Sequence, residues 1–161
     1  MRIVDRPSPN HEPRRTGPVD VLLIHYTERD LAESLRLLTE GAVSVHWLID
    51  EDGTVYHMVS EDRRAWHAGV GAWEGESDIN SRSIGIELVN LGDHPYAEAQ
   101  IDALIVLARE IMARHPIPPE RVLGHEDVAP GRKVDPGPFF PWDRLVAEGI
   151  AVRPASPPTS D

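Results

Sequence analysis

Two histidines and one aspartate are the residues in this sequence whose types and spacing best suit metal chemistry. His25 ends the apolar run VDVLLIHY, and His125 follows a shorter apolar run ten positions before Asp135. Open α/β sheets place their ligands beyond the carboxyl ends of the strands, so the two imidazoles can converge. Two histidines with one carboxylate are typical of a catalytic zinc site, because three protein ligands leave one position for water. The sequence therefore predicts a site for one Zn²⁺.

Two further charged residues have the chemistry that amide hydrolysis would need beside such a metal. Lys133 stands two residues before Asp135, so in an extended segment both side chains leave on the same side and the ammonium can stabilise an oxyanion. Glu87 lies in the apolar strand SIGIELVN, on the same face as Gly85, which we expect to leave space for a substrate. Burial there would raise the pKa of the carboxyl group toward the range of a general base.

Each of these residues also has a simpler interpretation. A histidine at a strand end can be a hydrogen-bonded structural residue, an aspartate before proline can be a turn residue, and a loop lysine can be solvated. His46 and His67 are rival ligands, and we place His46 behind the site and His67 in the cleft wall. The remaining histidines are expected on the surface: His11, His57, His94 and His115. The chain has no cysteine, so any metal must be held by histidines and carboxylates.

Composition limits the class of protein and its partners. A chain of 161 residues with 40% hydrophobic and 27% charged residues fits one globular domain. The net charge of −11 argues against a nucleic-acid partner. No apolar run reaches membrane-spanning length, and the first 15 residues do not resemble a secretory signal. We therefore expect a monomer in the cytoplasm, or in the periplasm if a leader has been removed.

Strand and helix patterns alternate along the chain. Hydrophobic periodicity predicts strands at 19–26, 44–50, 54–59, 83–90 and 121–124. Helices are predicted from Asp30 to Gly41, over 97–115 and over 141–148. Residues 60–80 read as a long loop, a place that often carries function. This pattern predicts an α/β fold, in which residues 1–18 form an extended arm, 19–149 form one domain with a mixed central sheet flanked by helices, and 150–161 form a disordered tail.

Five ordered motifs between residues 21 and 142 resemble the type-2 N-acetylmuramoyl-L-alanine amidases. They are LLIHYT, VSVHWLIDEDGTVYHMV, RAWHAGVGAW, SIGIELVN with Asn80 before it, and GHEDVAPGRKVDPGPFFPW. That family includes AmpD-like and AmiD-like bacterial enzymes and peptidoglycan recognition proteins. The resemblance implies a fold that some schemes file as α+β, one zinc ion bound by His25, His125 and Asp135, and catalysis by Glu87 and Lys133. It also implies that the substrate is contacted by four residues: Trp66, His67, Ala68 and Asn80.

The activity that the resemblance implies is hydrolysis of the amide between the muramic acid lactyl group and the first stem-peptide residue. The substrate would be a muropeptide or peptidoglycan, in cell-wall recycling or turnover. Ala42 and Asp78 stand where AmpD-like enzymes carry arginines that read the diaminopimelate carboxylate, so the chain resembles the AmiD-like branch more closely. Two alternatives remain: a non-catalytic peptidoglycan-binding module, which would have lost a metal ligand, and another zinc hydrolase such as a peptidase or deacetylase.

Overall fold

The computed structural model describes residues 1–153, which contain eight strands and five α-helices. The strands are β1 Ile3–Asp5, β2 His11–Pro13, β3 Val21–Tyr26, β4 Trp47–Ile49, β5 Val55–His57, β6 Arg63–Ala65, β7 Ser83–Leu88 and β8 Val122–Gly124. The helices are α1 Leu31–Glu40, α2 Ile79–Arg82, α3 Glu98–Arg114, α4 His125–Val128 and α5 Trp142–Ala147. Within residues 1–153, no helix is long and apolar enough to cross a bilayer.

The central sheet has six strands in the order β1-β5-β4-β7-β3-β8. All neighbouring pairs run parallel except β4 and β5, which form an antiparallel hairpin around the Glu51-Asp52-Gly53 turn. Strands β2 and β6 form a separate antiparallel pair. The single-domain α/β fold with a mixed sheet is therefore confirmed, and the apolar strand β3 lies between β7 and β8.

Helix α3 covers one face of the sheet and builds the main core. Its apolar side, which includes Leu104 and Ile111, packs against residues of alternate strand positions such as Leu22, Ile24 and Ile86, all of which are fully buried. Each apolar side chain of this size stabilises the fold by roughly 1.5–3 kcal/mol when buried. The predicted helix over 97–115 is confirmed to within one residue at each end.

The opposite face of the sheet carries the polar residues that the sequence singled out. Because strand side chains alternate between faces, His25 projects away from Leu22 and Ile24, and Glu87 projects away from Ile86. In the parallel pair β3–β7, His25 lies directly beside Glu87. Helix α1 covers part of this face, and it begins as predicted at Asp30, whose carboxylate accepts a hydrogen bond from the backbone N–H of Glu33 at 2.9 Å. An open cleft lies on this face of the sheet, next to α1.

The segment 1–18, which we expected to precede the domain as an arm, is extended and also joins the fold. Strand β1 pairs with β5 at the edge of the central sheet, and β2 pairs with β6. The Arg14 guanidinium donates to the backbone carbonyls of Asn80 and Ser81 at 3.1 and 2.8 Å. The folded unit therefore includes residues before position 19. Three-residue strands have too little pattern to be recognised without their partners.

The start of the predicted tail is ordered, which corrects the boundary at residue 150. Ile150 and Ala151 are 1% and 2% exposed and belong to the main core. Arg153 stacks over the Trp142 ring, with 3.4 Å between its guanidinium carbon and the ring centroid, and pairs with Asp127 at 2.8 Å. The prediction of a disordered tail rested on the proline-rich composition after residue 152, whereas the apolar residues at 150–152 favour burial in the core. The rest of the predicted tail, 154–161, lies outside the described residues.

Two of the predicted loops contain short elements. The interval 60–80 includes β6 and the first two residues of α2, and the stretch after residue 124 begins with α4. These elements are three or four residues long, so they carry no recognisable hydrophobic period. Both lie next to the candidate site, which they help to shape.

Candidate metal centre and active site

The structure brings His25, His125 and Asp135 together at one point above the sheet. The Nδ1 atoms of the two histidines are 3.0 Å apart, and the Asp135 Oδ2 atom lies 3.1 Å from His25 Nδ1 and 3.3 Å from His125 Nδ1. All three residues are buried. Three ligand atoms therefore form a nearly equilateral triangle, and the cluster is compatible with a metal site.

The triangle, with sides of 3.0–3.3 Å, is slightly smaller than one face of a tetrahedral zinc site. Nitrogen and oxygen ligands at about 2.0–2.2 Å from zinc, separated by tetrahedral angles, lie roughly 3.3–3.6 Å from one another. Burial lowers the pKa of His25, although the hydrogen bond to Asp135 opposes this effect. Burial alone would raise the pKa of Asp135, but its contacts with the His125 and His25 rings outweigh it and hold that pKa well below its usual value. A neutral imidazole and an ionised carboxylate are the forms that bind metals.

Local backbone contacts fix Asp135 beside the end of β8. The Asp135 carbonyl accepts the backbone N–H of Glu126 at 3.0 Å, and the Pro136 carbonyl accepts the Tyr96 hydroxyl at 2.6 Å. A Cβ atom at Gly124 would lie 2.6 Å from Pro136 Cδ, so only glycine allows this approach. The proline-rich loop is thereby held against the end of β8, which directly precedes His125.

His125 is oriented by the backbone of the loop before α2. Its Nε2 atom lies 2.7 Å from the Ala68 carbonyl oxygen, so that Nε2–H donates there and Nδ1 is left to face the other two residues. The Arg132 guanidinium donates to the same carbonyl at 2.9 Å and to the Val70 carbonyl at 2.6 Å. Arg132 was not predicted to be a site residue, because its position before Lys133 is its only distinguishing feature in the sequence.

His25 is contacted on its other side by His67, which corrects our interpretation of Gly85. The His25 Nε2 and His67 Nδ1 atoms are 2.9 Å apart, and the His67 Nε2 atom lies 3.1 Å from the Ser83 hydroxyl. A Cβ atom at Gly85 would lie 2.6 Å from His67 Nδ1. The space above Gly85 is therefore filled by the His67 ring, and it is not open to a substrate. Burial lowers the pKa of His67 well below its usual value, and the neighbouring His25 adds to the decrease.

Glu87 lies next to the triangle with one carboxylate oxygen enclosed. Its Oε2 atom is buried and makes no hydrogen bond to any group within residues 1–153. Burial raises the pKa of Glu87 well above its usual value, the Asp135 carboxylate raises it further, and the Lys133 ammonium opposes the increase. A carboxyl group without a protein partner, at the edge of a cleft, is suited to exchanging a proton with a bound molecule.

A cavity of about 300 Å³ joins the triangle to the two predicted catalytic residues. Glu87 and Lys133 both line it, together with the three clustered residues. A second cavity of about 290 Å³ shares part of this wall and continues along the loop that contains the predicted substrate contacts: Trp66, His67, Ala68 and Asn80. A third, of about 90 Å³, lies between Glu87 and α1.

Three of the four predicted substrate contacts hold one another in place, and the fourth, Trp66, is held by strand β2. The Asn80 Oδ1 atom accepts the backbone N–H groups of His67 and Ala68 at 3.0 and 2.8 Å. The Trp66 indole N–H donates to Glu12 of strand β2 at 3.0 Å. Asn80 therefore shapes the loop, and the N-terminal segment positions Trp66 in the cavity wall. Their contact with a substrate stays a prediction.

His46 lies behind the site, as we expected, and has a structural role there. Its Nδ1 atom accepts the backbone N–H of Gly85 at 3.0 Å, and its Nε2 atom lies 2.9 Å from the Arg63 carbonyl oxygen. Burial lowers the pKa of His46 to about 3, so the ring is neutral near pH 7. Both ring nitrogens are used within the protein, which excludes His46 from the ligand set.

His11, which we expected on the surface, also has a partner, because the Arg63 guanidinium donates a hydrogen bond to it at 3.0 Å.

Comparison with known proteins places the chain among the amidases. A family model described as Amidase_2, N-acetylmuramoyl-L-alanine amidase, matches residues 15–138. The N-acetylmuramoyl-L-alanine amidase AmiD of Escherichia coli is 44% identical over 84% of the chain, and the 1,6-anhydro-N-acetylmuramyl-L-alanine amidase AmpD of Enterobacter cloacae is 39% identical over 81% of it. The chain spans 55% of the length of AmiD and 71% of that AmpD.

Solved structures of bacterial amidases have the same fold. The E. coli AmiD structure with anhydro-N-acetylmuramic acid-L-Ala-D-γ-Glu-L-Lys superposes with a TM-score of 0.82 and 42% identity, and covers 88% of this chain and 62% of its own. AmpDh3 of Pseudomonas aeruginosa follows with a TM-score of 0.81 and 40% identity. On the family match over residues 15–138 and these identities, the chain belongs to the Amidase_2 family of N-acetylmuramoyl-L-alanine amidases.

Proposed function

We propose that this protein is a zinc-dependent N-acetylmuramoyl-L-alanine amidase, which hydrolyses the amide between the muramic acid lactyl group and L-alanine of a muropeptide or of peptidoglycan. The observation that carries the proposal is the triangle of His25, His125 and Asp135 on a cavity that Glu87 and Lys133 also line. AmiD was solved with an anhydro-muramyl tripeptide, and this similarity supports the substrate class.

Zinc is the cation that the donor set fits best. Two imidazoles and one carboxylate, with no sulfur ligand, match catalytic zinc sites, and the separations of 3.0–3.3 Å between ligand atoms suit tetrahedral coordination. Mg²⁺ and Ca²⁺ prefer oxygen ligands in larger numbers. When bound here, zinc supplies Lewis acidity, which activates water and polarises the scissile carbonyl.

The residues around the triangle divide the remaining chemistry between them. Glu87 accepts a proton from the attacking water through its unpartnered Oε2 and later delivers it to the departing alanine nitrogen. Lys133 lines the same cavity, and its ammonium stabilises the negative charge that develops on the carbonyl oxygen. The Glu87 carboxyl must be ionised to accept the proton, and the Lys133 ammonium favours that ionised form.

Product analysis with defined substrates tests the proposal. We expect the zinc-loaded protein to convert an anhydro-muramyl tripeptide into free tripeptide and anhydro-muramic acid, which mass spectrometry distinguishes from cleavage inside the peptide. Parallel assays on ordinary muropeptides and intact sacculi would show which sugar end is accepted. Binding without any cleavage would support a peptidoglycan-binding module instead, and cleavage within the peptide would support a peptidase.

The metal site has its own test. We expect Asp135→Ala to lose zinc binding, measured as metal content after dialysis, because two neutral imidazoles alone bind the cation more weakly. Asp143→Ala is the control, since Asp143 is an exposed aspartate on α5 that is not part of the cluster. If Asp135→Ala kept stoichiometric zinc with wild-type affinity, the assignment of the third ligand would be wrong.

A further inference from the structure

A continuous chain of hydrogen-bonding groups runs from His25 to the backbone of α2. His25 Nε2 is 2.9 Å from His67 Nδ1, and His67 Nε2 is 3.1 Å from the Ser83 hydroxyl oxygen. The Ser83 hydroxyl in turn lies 2.7 Å from the Ile79 carbonyl oxygen. Every side chain in this chain is buried, and Ser83 is fully so. Water therefore does not replace any of these contacts.

The carbonyl at the end of the chain sets the direction of every hydrogen bond in it. A carbonyl only accepts, so the Ser83 hydroxyl donates to Ile79 and its oxygen is left to accept from His67. A neutral imidazole has one donor and one acceptor, so a proton on His67 Nε2 leaves Nδ1 as an acceptor. His67 Nδ1 then accepts from His25 Nε2–H. The Nδ1 lone pair of His25 is thereby left free on the side that faces His125 and Asp135.

We propose that His67 and Ser83 are positioning residues that hold His25 in its Nε2–H tautomer and in the ring orientation that binds the metal. The inference rests on the proposed metal site and adds to it a role for two residues that touch neither the metal nor the reacting atoms. Histidine ligands generally donate their second ring N–H to a fixed acceptor, which sets the tautomer and the ring plane. For His125 that acceptor is the Ala68 carbonyl, and for His25 it is a second histidine.

The packing around His67 leaves its ring no alternative position. The ring lies against the backbone of β7 at Gly85, where a Cβ atom would come within 2.6 Å of Nδ1. The His25 and His67 rings meet edge to face with centroids 5.1 Å apart, and His46 contacts His67 from behind at 5.8 Å. The Asn80 carboxamide fixes the His67 backbone N–H. The acceptor for His25 is therefore rigid, as a residue that sets a tautomer must be.

Zinc affinity measured by competition with a chromogenic chelator tests the inference directly. We expect His67→Phe to lower the affinity about 10- to 100-fold, because a buried His25 Nε2–H would lose its acceptor. We expect His67→Asn to recover most of this loss, since the carboxamide oxygen takes the place of Nδ1 and can accept. Ser83→Ala should cause a smaller loss, because His67 could then carry its proton on Nδ1 and compete with the tautomer of His25 that binds zinc.

A core variant with a comparable loss of stability separates positioning from general destabilisation. Ile111→Ala removes a fully buried side chain from α3 on the opposite face of the sheet, and we expect it to lower the melting temperature without changing zinc affinity. In zinc-loaded wild-type protein, long-range ¹H–¹⁵N NMR should show protons on Nε2 of both His25 and His67. A proton on His67 Nδ1, or wild-type affinity in His67→Phe, would overturn the inference.

The outcomes also distinguish this inference from the proposed function. If the wild-type protein binds zinc and cleaves muropeptides while His67→Phe binds zinc equally well, only the positioning role is wrong. If the wild-type protein binds no zinc under the same conditions, the proposed metal site is wrong and the inference falls with it. Affinity is read on the protein alone, so neither result depends on having found the right substrate.

Discussion

Glu87 combines two properties at the scale of a single residue: one enclosed carboxylate oxygen without a partner within residues 1–153, and a place beside the three clustered ligand atoms. The first makes the carboxyl group available to a bound molecule, because no protein hydrogen bond must break before it accepts a proton. The second puts that proton transfer where the amide would be attacked. A structural glutamate would be expected to have a hydrogen-bonding partner in the protein.

Replacing Glu87 by glutamine tests its role as a base. We expect Glu87→Gln to keep its full zinc content and to lose about 10²- to 10⁴-fold in kcat, because the carboxamide fills the same volume but cannot accept the proton. Metal analysis and turnover of an anhydro-muramyl tripeptide measure the two effects separately. Glu98→Gln, on an almost fully exposed side chain at the start of α3, should leave both unchanged. Full turnover in Glu87→Gln would exclude this role.

Gly85 offers a second test at this scale, because its lack of a side chain makes room for His67. We expect Gly85→Ala to destabilise the protein by about 1–3 kcal/mol, since the new methyl group would overlap the imidazole ring and force a shift. Urea unfolding measures the loss, and Gly17→Ala is the matched control, as nothing lies within 4 Å of the corresponding Cβ position. Equal stability of the two variants would show that the His67 ring can move away at little cost.

The sequence was informative about individual residues where residue type limits the chemistry. Two histidines at strand ends, an aspartate ten positions after the second and a glutamate in β7 are recognisable, because histidines and carboxylates found together are typical of metal and catalytic sites. The contact between Gly85 and His67 was not recognisable in the same way. This contact joins a loop to a strand 18 positions away. A glycine in a strand is compatible with an empty space above it and equally with a space that another side chain fills, so the sequence does not distinguish the two. Ser83 and Arg132 were missed because their partners are backbone carbonyls.

At the scale of secondary structure elements, the N-terminal segment is part of the framework around the candidate site. Arg14 donates to the backbone carbonyls of Asn80, Ser81 and Ser83, and also to that of Glu61 at 2.8 Å. Burial lowers its pKa to about 10, so it is still charged near pH 7. A single side chain from outside the predicted domain therefore joins β2 to the start of β7, where the hydrogen-bonded chain from His25 ends.

Removing this guanidinium should weaken the element it holds. We expect Arg14→Ala to lower the free energy of unfolding by about 2–4 kcal/mol, because the loss leaves several buried carbonyls without a donor. Chemical denaturation gives the size of the effect. Arg15→Ala is the control, since Arg15 is mostly exposed and its guanidinium pairs with Glu12 on the same strand segment. A difference below about 0.5 kcal/mol between the two variants would contradict a framework role for Arg14.

Elements with a long hydrophobic pattern could be predicted from the sequence, whereas short elements that are ordered only by contact with another element could not. Helix α3 has 17 residues with an apolar stripe, and β3 has an uninterrupted apolar run, so the burial of each can be predicted from its own sequence. Strand β1 and the segment at 150–152 have only two or three apolar residues each. They are ordered through contacts with other parts of the fold: β1 pairs with β5, and the segment at 150–152 packs into the core beneath α3 and α5.

At the scale of the whole molecule, Glu61 connects the end of α3 to the central sheet. Its carboxylate accepts hydrogen bonds from Arg114 at 2.8 and 3.0 Å, from His115 at 2.8 Å and from the Trp47 indole at 2.8 Å. Its side chain is 12% exposed. Burial alone would raise the pKa of Glu61, but these hydrogen bonds outweigh it and lower the pKa to about 2. His115, which we expected on the surface, is therefore half-buried and paired.

This depressed pKa makes the stability of the fold depend on pH in a defined window. A carboxyl group with a pKa of about 2 in the folded state and about 4.5 in the unfolded state stabilises the fold above pH 4.5 by roughly 3 kcal/mol. That contribution decreases as the pH falls from about 4.5 to about 2, where the folded-state carboxylate is itself protonated. We expect Glu61→Gln to unfold more easily at pH 7 and to lose part of its acid sensitivity within this window.

Urea unfolding of the two proteins at a series of pH values between 2 and 7 isolates the contribution of this one carboxylate, because all other acidic groups titrate in both. The difference in unfolding free energy between wild type and Glu61→Gln should be largest at pH 7 and should shrink as the solution is acidified. Glu148→Gln, which removes the partner of Arg109 on the surface, should give a small difference with little dependence on pH. A constant difference for Glu61→Gln across the series would mean that the carboxylate is not preferentially ionised in the folded state.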